Sequence, residues 1–121
     1  MSKQNFFKKG NLKISYRYYK RSKKTLIFLH GLLSDMSGKK SNFLNNYCRK
    51  NNISYLCFDF QGHGRSSGEF TNFGISDWYD DLDNIVKYLK IRNFILIGSS
   101  MGGWVAIIYA LMHPKKVTKL I

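Results

Sequence analysis

The chain has one proline, two cysteines, seven acidic residues and no long hydrophobic run. Two cysteines are too few for a disulfide-dependent scaffold. Cys48 and Cys57 each lie in an apolar stretch, so we expect buried free thiols in a reducing compartment. Without about 18 consecutive apolar residues, no membrane span is expected. The length of 121 residues, 44% of them hydrophobic, is enough for one domain (residues 1–121) with a core, which argues against disorder.

The amino-terminal residues lack the apolar segment of a secretory signal peptide, so we expect a cytoplasmic location. The first 34 residues contain no acid. A mitochondrial import presequence, with a matrix location, is therefore the alternative. Against it, these residues alternate apolar and polar side chains as a strand does.

The scarcity of acids leaves the chain strongly basic, with 20 Lys and Arg against seven Asp and Glu and a net charge of +13. Residues 3–50 are especially basic, which is typical of nucleic-acid or anionic-membrane binding. However, most of the basic residues are Lys, whereas proteins that read bases rely on Arg. We interpret the charge as compositional and expect no nucleic-acid partner, with a basic binding module as the weaker alternative.

Metal and cofactor sites find no support in the sequence. Three scattered histidines and two separate cysteines do not match metal-ligand spacing, so we expect no metal. No phosphate-binding loop occurs, and Gly62-His63-Gly64 lacks the third glycine of a dinucleotide site, so we expect no cofactor. We interpret the acidic run 80–83 as the start of a helix, where it would complement the helix dipole.

Hydrophobic patterning predicts alternating strands and helices. A hairpin is predicted over residues 5–20, turning at Gly10-Asn11. Continuous apolar runs predict strands buried on both faces at 25–29, 54–60, 94–98 and 117–121. Helices are predicted at 41–50, 77–90 and 101–113, the last deeply packed because it is apolar nearly all round. For the first helix we expect one apolar side, formed by Phe43, Leu44, Tyr47 and Cys48. These βαβ units over residues 25–121 predict a mostly parallel α/β sheet.

The sequence Gly98-Ser99-Ser100-Met101-Gly102-Gly103 lies between a predicted buried strand and a predicted helix. A G-x-S-x-G turn in that context is typical of a catalytic serine. Gly98 and Gly102 leave room for a tight turn that holds Ser100 in strained dihedrals. The helix N-terminus and the N–H of Met101 favour developing negative charge. Ser100 is therefore the predicted nucleophile; the alternative is a glycine-rich packing turn.

A second motif, His30-Gly31-Leu32-Leu33, directly follows the first buried strand. Glycine at position 31 allows the chain to approach the serine turn closely. The N–H of Leu32 is then the predicted second oxyanion donor. We expect the ring of His30 to hold this loop by hydrogen bonds rather than to act as a base.

A third motif, residues 59–68, follows the second buried strand and has three glycines within seven residues, which indicates a sharply turning loop. We interpret Asp59 as a structural anchor of the loop that pairs with Arg65 across the turn. His63, between two glycines, is also interpreted as structural.

These three motifs, in this order, resemble the α/β-hydrolase superfamily. Within it, residues 31–39 and 98–104 resemble the ABHD10-type serine esterases and thioesterases and their bacterial relatives. The resemblance implies a three-layer α/β-hydrolase fold that cleaves a carboxylic ester or acyl thioester through an acyl-serine on Ser100. It also implies backbone oxyanion donors at Leu32 and Met101, and small-molecule or acyl-protein substrates. The resemblance covers most of this chain, but only about the front half of such a domain.

The chain departs from the family pattern after Ser100. In this fold the acid and the histidine follow the nucleophile. Here no acid follows, and the one later histidine, His113, lies ~18 Å away along a helix with 1.5 Å rise per residue, where we expect a helix-terminal cation. We therefore expect a protein truncated after the strand that follows the nucleophile helix, nearly inactive alone. The alternatives are an inactive fragment, or half of an enzyme whose second polypeptide supplies the acid and histidine.

Overall fold

The computed structural model describes residues 3–121, which form a six-stranded sheet and three α-helices. In chain order the elements are β1 (Gln4–Lys9), β2 (Leu12–Tyr19), β3 (Thr25–Leu29), α1 (Lys39–Lys50), β4 (Ser54–Phe58), α2 (Ile75–Tyr88), β5 (Phe94–Gly98), α3 (Met101–Met112) and β6 (Val117–Leu120). This alternation confirms the predicted α/β class, the hairpin and the βαβ units. The predicted strand 54–60 ends earlier, at Phe58, because the chain turns there into the glycine-rich loop.

The sheet is mostly parallel and has the strand order β1-β2-β4-β3-β5-β6. The hairpin strands β1 and β2 are antiparallel to each other, and β2 is antiparallel to β4. The pairs β3–β4, β3–β5 and β5–β6 are parallel. The fully buried strands β3 and β4 lie at the centre. Because β3, β4 and β5 run parallel, their carboxyl ends open onto the same edge of the sheet. Ligands bind at this edge in open α/β sheets.

Helices cover both faces of the sheet and produce three layers. The larger core combines α2 and α3 with one face, and includes Leu82, Ile85, Val105 and Tyr109. The smaller core lies under α1, around Cys48, Tyr55 and Cys57. The predicted free buried thiols are confirmed, and burial raises the pKa of Cys48 to about 11.

The prediction for the inner face of α1 holds for Leu44 and Cys48, which pack in the smaller core, and is wrong for Phe43 and Tyr47. Phe43 and Tyr47 are exposed, whereas Ser41, Asn45 and Cys48 face the sheet. The polar residues are accommodated because Ser41 exchanges a 2.8 Å hydrogen bond with the hydroxyl of the buried Tyr55. Small and polar residues therefore let α1 lie close to the sheet, and Phe43 and Tyr47 are turned outwards.

The predictions of deep packing for α3 and of a buried strand at 117–121 are also wrong. One face of α3 is buried through Val105, Ala106 and Tyr109. The opposite face, with Trp104, Ile107, Leu111 and Met112, is exposed. Strand β6 pairs only with β5 and is largely exposed within the described residues.

The acidic run 80–83 does not start a helix, because α2 begins five residues earlier, at Ile75. Asp77 occupies the first turn instead, and its carboxylate accepts the N–H of Gly74 at 2.9 Å. Asp81 is fully buried and accepts two hydrogen bonds from Gln61, from its backbone N–H (2.8 Å) and its side-chain amide (2.7 Å). Burial nevertheless raises the pKa of Asp81 to about 7.

Candidate active site

Ser100 lies at the junction between β5 and α3, at the edge of the sheet where β3 and β4 also end. Its backbone has φ 56° and ψ −117°, a left-handed conformation that side-chain-bearing residues rarely adopt. The side chain is exposed, and its hydroxyl makes no hydrogen bond within residues 3–121. The turn is fixed below it by the N–H of Gly102, which donates to Ser99, and the N–H of Trp104, which donates to Ser100. The strain is therefore sustained by the strand and helix on either side.

Glycines let this turn approach its neighbours closely. A Cβ on Gly98 would collide with the backbone of Gly102 and Gly103 in the first turn of α3. A Cβ on Gly102 would collide with the carbonyl oxygens of Leu29 and His30. Both positions thus require glycine for space, as predicted from the tight turn.

The loop after β3 lies directly beside Ser100. A Cβ on Gly31 would be 3.5 Å from the Cβ of Ser100. The next residue, Leu32, begins an exposed turn, closed by the N–H of Ser34 donating to Gly31. Neither the N–H of Leu32 nor that of Met101 has an acceptor in the described part of the chain. The two groups therefore remain available as donors on the two segments that approach Ser100.

His30 anchors this loop, as the sequence predicted. Its Nε2 accepts the N–H of Phe60 at 3.1 Å, so the proton resides on Nδ1, which donates to the carbonyl of Gly31 at 2.7 Å. The side chain is fully buried. Burial lowers the pKa of His30 below its ordinary value, and the ring is neutral at pH 7. With both nitrogens engaged, His30 supports the loop.

Asp59 anchors two loops at once, but not through the predicted ion pair. Its carboxylate accepts the N–H of Met36 at 2.8 Å and the backbone N–H of Arg65 at 3.1 Å. The guanidinium of Arg65 instead donates to the side chain of Gln4 on β1. The side chain of His63 is buried in the same turn and its Nδ1 donates to Gln61.

The structure does not bring a histidine into contact with the Ser100 hydroxyl. His113 caps the far end of α3, where its Nε2 lies 2.8 Å from the hydroxyl of Tyr79 and its ring packs on Tyr109. Each of the three histidines thus hydrogen-bonds to a group other than Ser100, and the buried Nε2 of His63 has no partner among the described residues.

The family model described as the alpha/beta hydrolase fold matches residues 24–121. The chain belongs to the α/β-hydrolase family. A rat protein named palmitoyl-protein thioesterase ABHD10, mitochondrial, is 32% identical over 118 residues, which cover 97% of this chain and 40% of the rat protein.

Solved structures agree with this family assignment. Mouse alpha/beta hydrolase domain-containing protein 10 superimposes with a TM-score of 0.92 at 28% identity, covering 98% of this chain and 48% of the mouse chain. The esterase Pf2001 of Pyrococcus furiosus superimposes with a TM-score of 0.83 at 30% identity, covering 99% of this chain and 50% of the Pyrococcus chain. This hydrolase-fold chain therefore spans about 40% of the rat relative and about half of these solved structures.

One contact near Ser100 is absent from the sequence-based predictions. The ammonium of Lys40, in the first turn of α1, donates to the hydroxyl of Ser99 at 3.1 Å. A signal for it exists in the sequence. Two adjacent lysines begin a helix there, at the end where the helix dipole disfavours positive charge.

Proposed function

We propose that Ser100 is the nucleophile of a serine hydrolase that cleaves carboxylic esters or acyl thioesters. The observation that carries this proposal is the left-handed backbone of an exposed serine between a buried strand and a helix. A strained residue that the surrounding structure holds in place is typical of functional sites. A glycine-rich packing turn would not need a side chain at that position, because glycine adopts this conformation without strain.

The neighbouring donors support acyl transfer. In the proposed reaction the Oγ of Ser100 attacks the carbonyl carbon, and the oxygen that becomes negative is received by the N–H groups of Leu32 and Met101. The tetrahedral intermediate collapses to an acyl-serine and releases the alcohol or thiol with the proton that Ser100 gave up. Water then hydrolyses the acyl-serine, returning the serine hydroxyl and a carboxylic acid.

The names of relatives support the ester and thioester class. The rat relative is named a palmitoyl-protein thioesterase, and the Pyrococcus protein an esterase. We extend that class, but no individual acyl or leaving group, to this chain, with small-molecule or acyl-protein substrates.

We further propose that turnover needs a general base and an acid from outside these 121 residues. The three histidines hydrogen-bond to Gly31, Gln61 and Tyr79 respectively, and no acid follows Ser100 in the sequence. A serine without its base is a weak nucleophile. Removing a triad histidine from a serine protease costs about 10⁶-fold in kcat. We therefore expect this chain alone to acylate Ser100 slowly and to turn over substrate hardly at all.

Labelling by a fluorophosphonate, followed by intact-mass and peptide mass spectrometry, tests the assignment. We expect one adduct, on Ser100, that forms over hours and disappears in Ser100→Ala. Ser99→Ala is the matched control, because it removes the adjacent hydroxyl and leaves Ser100 in place; it should still be labelled. An adduct on Ser99, or none on folded protein after prolonged exposure to the reagent, would refute the proposal.

The cellular location is a separate proposal. Residues Gln4–Lys9 form a strand paired with β2, which supports the cytoplasmic expectation, since an import presequence at these positions would consume part of the sheet. The mitochondrial name of the rat relative supports the alternative. No helix among residues 3–121 is long and apolar enough to cross a membrane. Fractionation of cells expressing the tagged chain separates the two locations.

A further inference from the structure

A small polar pocket of about 190 Å³ lies beside the β1–β2 hairpin, where the loops after β3 and β4 meet it. Gln4 and Arg17 line it from the hairpin, and the two loops contribute Asp35, Asp59 and Arg65. The hairpin is at the opposite edge of the sheet from β6. At ~30 Å³ per water molecule the pocket has room for about six waters, which suits one small ion rather than a drug-sized ligand.

Two guanidinium groups line this pocket. Gln4 and Arg17 are cross-strand partners in the hairpin, so their side chains share one face of the sheet. The side-chain oxygen of Gln4 accepts a 2.9 Å hydrogen bond from Arg65, which brings the second guanidinium to the same place. Within residues 3–121 the guanidinium of Arg17 has no hydrogen bond or ion pair, although this side chain is half-buried. Two neighbouring cations, one of them without an acceptor, are unfavourable for the fold unless an anion is bound between them.

The two carboxylates of the pocket differ in what they can still accept. Both oxygens of Asp59 are occupied, by the N–H groups of Met36 at 2.8 Å and Arg65 at 3.1 Å. In Asp35, Oδ1 accepts the hydroxyl of Ser37 at 2.6 Å and its N–H at 2.8 Å, whereas Oδ2 accepts nothing from residues 3–121. The hydrogen bonds from Ser37 lower the pKa of Asp35, so its carboxyl is ionised at pH 7. The pocket therefore offers two cations and one spare carboxylate oxygen.

A small anion that also carries a proton matches this set of groups. Guanidinium groups bind phosphate oxygens through paired N–H donors. Free phosphate keeps a P–OH group at pH 7.5, and that group can donate to the spare oxygen of Asp35. Sulfate has no such proton, and a phosphate monoester, with a second pKa of about 6, has lost its own. Sulfate and the monoester therefore meet Asp35 as a like charge.

We propose that this pocket binds free inorganic phosphate, which Arg17 and Arg65 hold and which Asp35 selects over other tetrahedral anions. The two guanidinium groups donate to the phosphate oxygens, and the P–OH donates to Oδ2 of Asp35. None of these three residues takes part in the proposed reaction of Ser100. The phosphate site therefore stands or falls independently of the hydrolase proposal.

Titration of the full chain with phosphate, sulfate or methyl phosphate, at pH 7.5 and constant ionic strength, tests the proposal. The shifts of backbone amide signals in NMR spectra give both the affinity and the place of binding. We expect phosphate to bind more tightly than the other two anions and to shift mainly residues 35–37 and 64–66. Equal affinities for the three anions, or shifts spread over the whole basic surface, would overturn the proposal.

Three variants that each remove one positive charge separate a built site from general attraction of anions. Arg17→Met and Arg65→Met should each weaken phosphate binding about tenfold or more, because each loses charge-assisted hydrogen bonds to the anion. Arg92→Met is the matched control, since Arg92 is exposed and precedes β5, at the other end of the strands. It should leave the affinity unchanged. An equal effect of all three substitutions, on chains whose circular dichroism matches wild type, would refute the site.

Asp35→Asn tests the selectivity. Asparagine keeps an oxygen that can accept the hydrogen bonds from Ser37, but it removes the negative charge that faces the anion. Because the added net charge favours every anion alike, the ratio of phosphate to sulfate affinity is the quantity to compare. This ratio should fall about tenfold in Asp35→Asn, chiefly because sulfate binds more tightly. An unchanged ratio would overturn the proposed selection by Asp35.

Discussion

The adjacent glycines at the start of α3 give a sharp test of how the serine turn is held. Gly102→Ala and Gly103→Ala add the same methyl group in the same helical turn. At Gly102 the new Cβ would lie 2.5 Å from the carbonyl oxygen of His30 and closer still to that of Leu29. At Gly103 its nearest neighbour would be the carbonyl oxygen of Gly98, at 3.3 Å. The two variants therefore differ in the space available to the added methyl group, and hardly at all in chemistry.

The expected magnitudes follow from those distances. Alanine in place of glycine favours a helix by about 1 kcal/mol. Overpacking costs about 1–3 kcal/mol, and more where the neighbour is backbone. The carbonyl of Leu29 cannot easily withdraw, because it also accepts the N–H of Ser99 at 3.1 Å. We expect Gly102→Ala to lose about 2 kcal/mol or more of unfolding free energy, and Gly103→Ala to stay within about 1 kcal/mol of wild type.

Urea unfolding, followed by far-UV circular dichroism, measures both variants against the wild type. The Ser100 labelling rate gives a second readout, which should fall in Gly102→Ala, because relief of the collision displaces α3 from the end of β3. Equal stability of the two variants would contradict the close packing of the serine turn against β3.

Three further predictions concern buried charge and strain. In Asp81→Asn, the free energy of unfolding relative to wild type should rise by up to about 4 kcal/mol between pH 4 and pH 8, as measured by urea unfolding. The folded pKa of about 7 lies above the unfolded 3.8, so the wild type loses stability as the pH rises, whereas the asparagine variant does not. A stability difference that stays constant with pH would contradict this prediction. His30→Gln should be less stable than wild type at pH 7.5, and the gap should narrow by pH 5.5. The lowered pKa of His30 makes the wild type lose stability as pH falls below the unfolded value of 6.5, and a gap that widens would refute this. Ser100→Gly should have a free energy of unfolding about 1 kcal/mol higher than that of Ser100→Ala, because glycine relieves about 1–3 kcal/mol of backbone strain, which exceeds its entropic cost. A glycine variant less stable than the alanine variant would show that the turn is unstrained.

The elements and the serine turn could be predicted because each has a local cause. The runs 25–29 and 94–98 are apolar without alternation, and the structure contains strands at those residues. The glycines at 31, 98 and 102 mark close approaches, and each lies where an added Cβ would contact or collide with the serine turn or its support. Such features depend on neighbours in sequence or on the geometry of a single turn.

The faces of the helices could not be predicted in the same way, because burial depends on what lies opposite. Phe43 and Ser41 are both on α1, and spacing alone favours burial of the phenylalanine. The serine is buried instead, because the hydroxyl of Tyr55 on β4 offers it a partner 2.8 Å away. The same holds for Asp81: the sequence predicts a helix-start residue there, because its partner Gln61 lies 20 residues earlier and is not visible in the local pattern.

The outward position of Phe43 connects the error in the fold prediction to the site. Because small and polar side chains pack under α1, its phenylalanine and its two leading lysines are left at the edge where β3 and β5 end. The helix thereby places a positive charge and an exposed aromatic ring near Ser99. The pattern that fails as a prediction of the core therefore still bears on the site, because the same helix positions the ammonium of Lys40 3.1 Å from the hydroxyl next to Ser100.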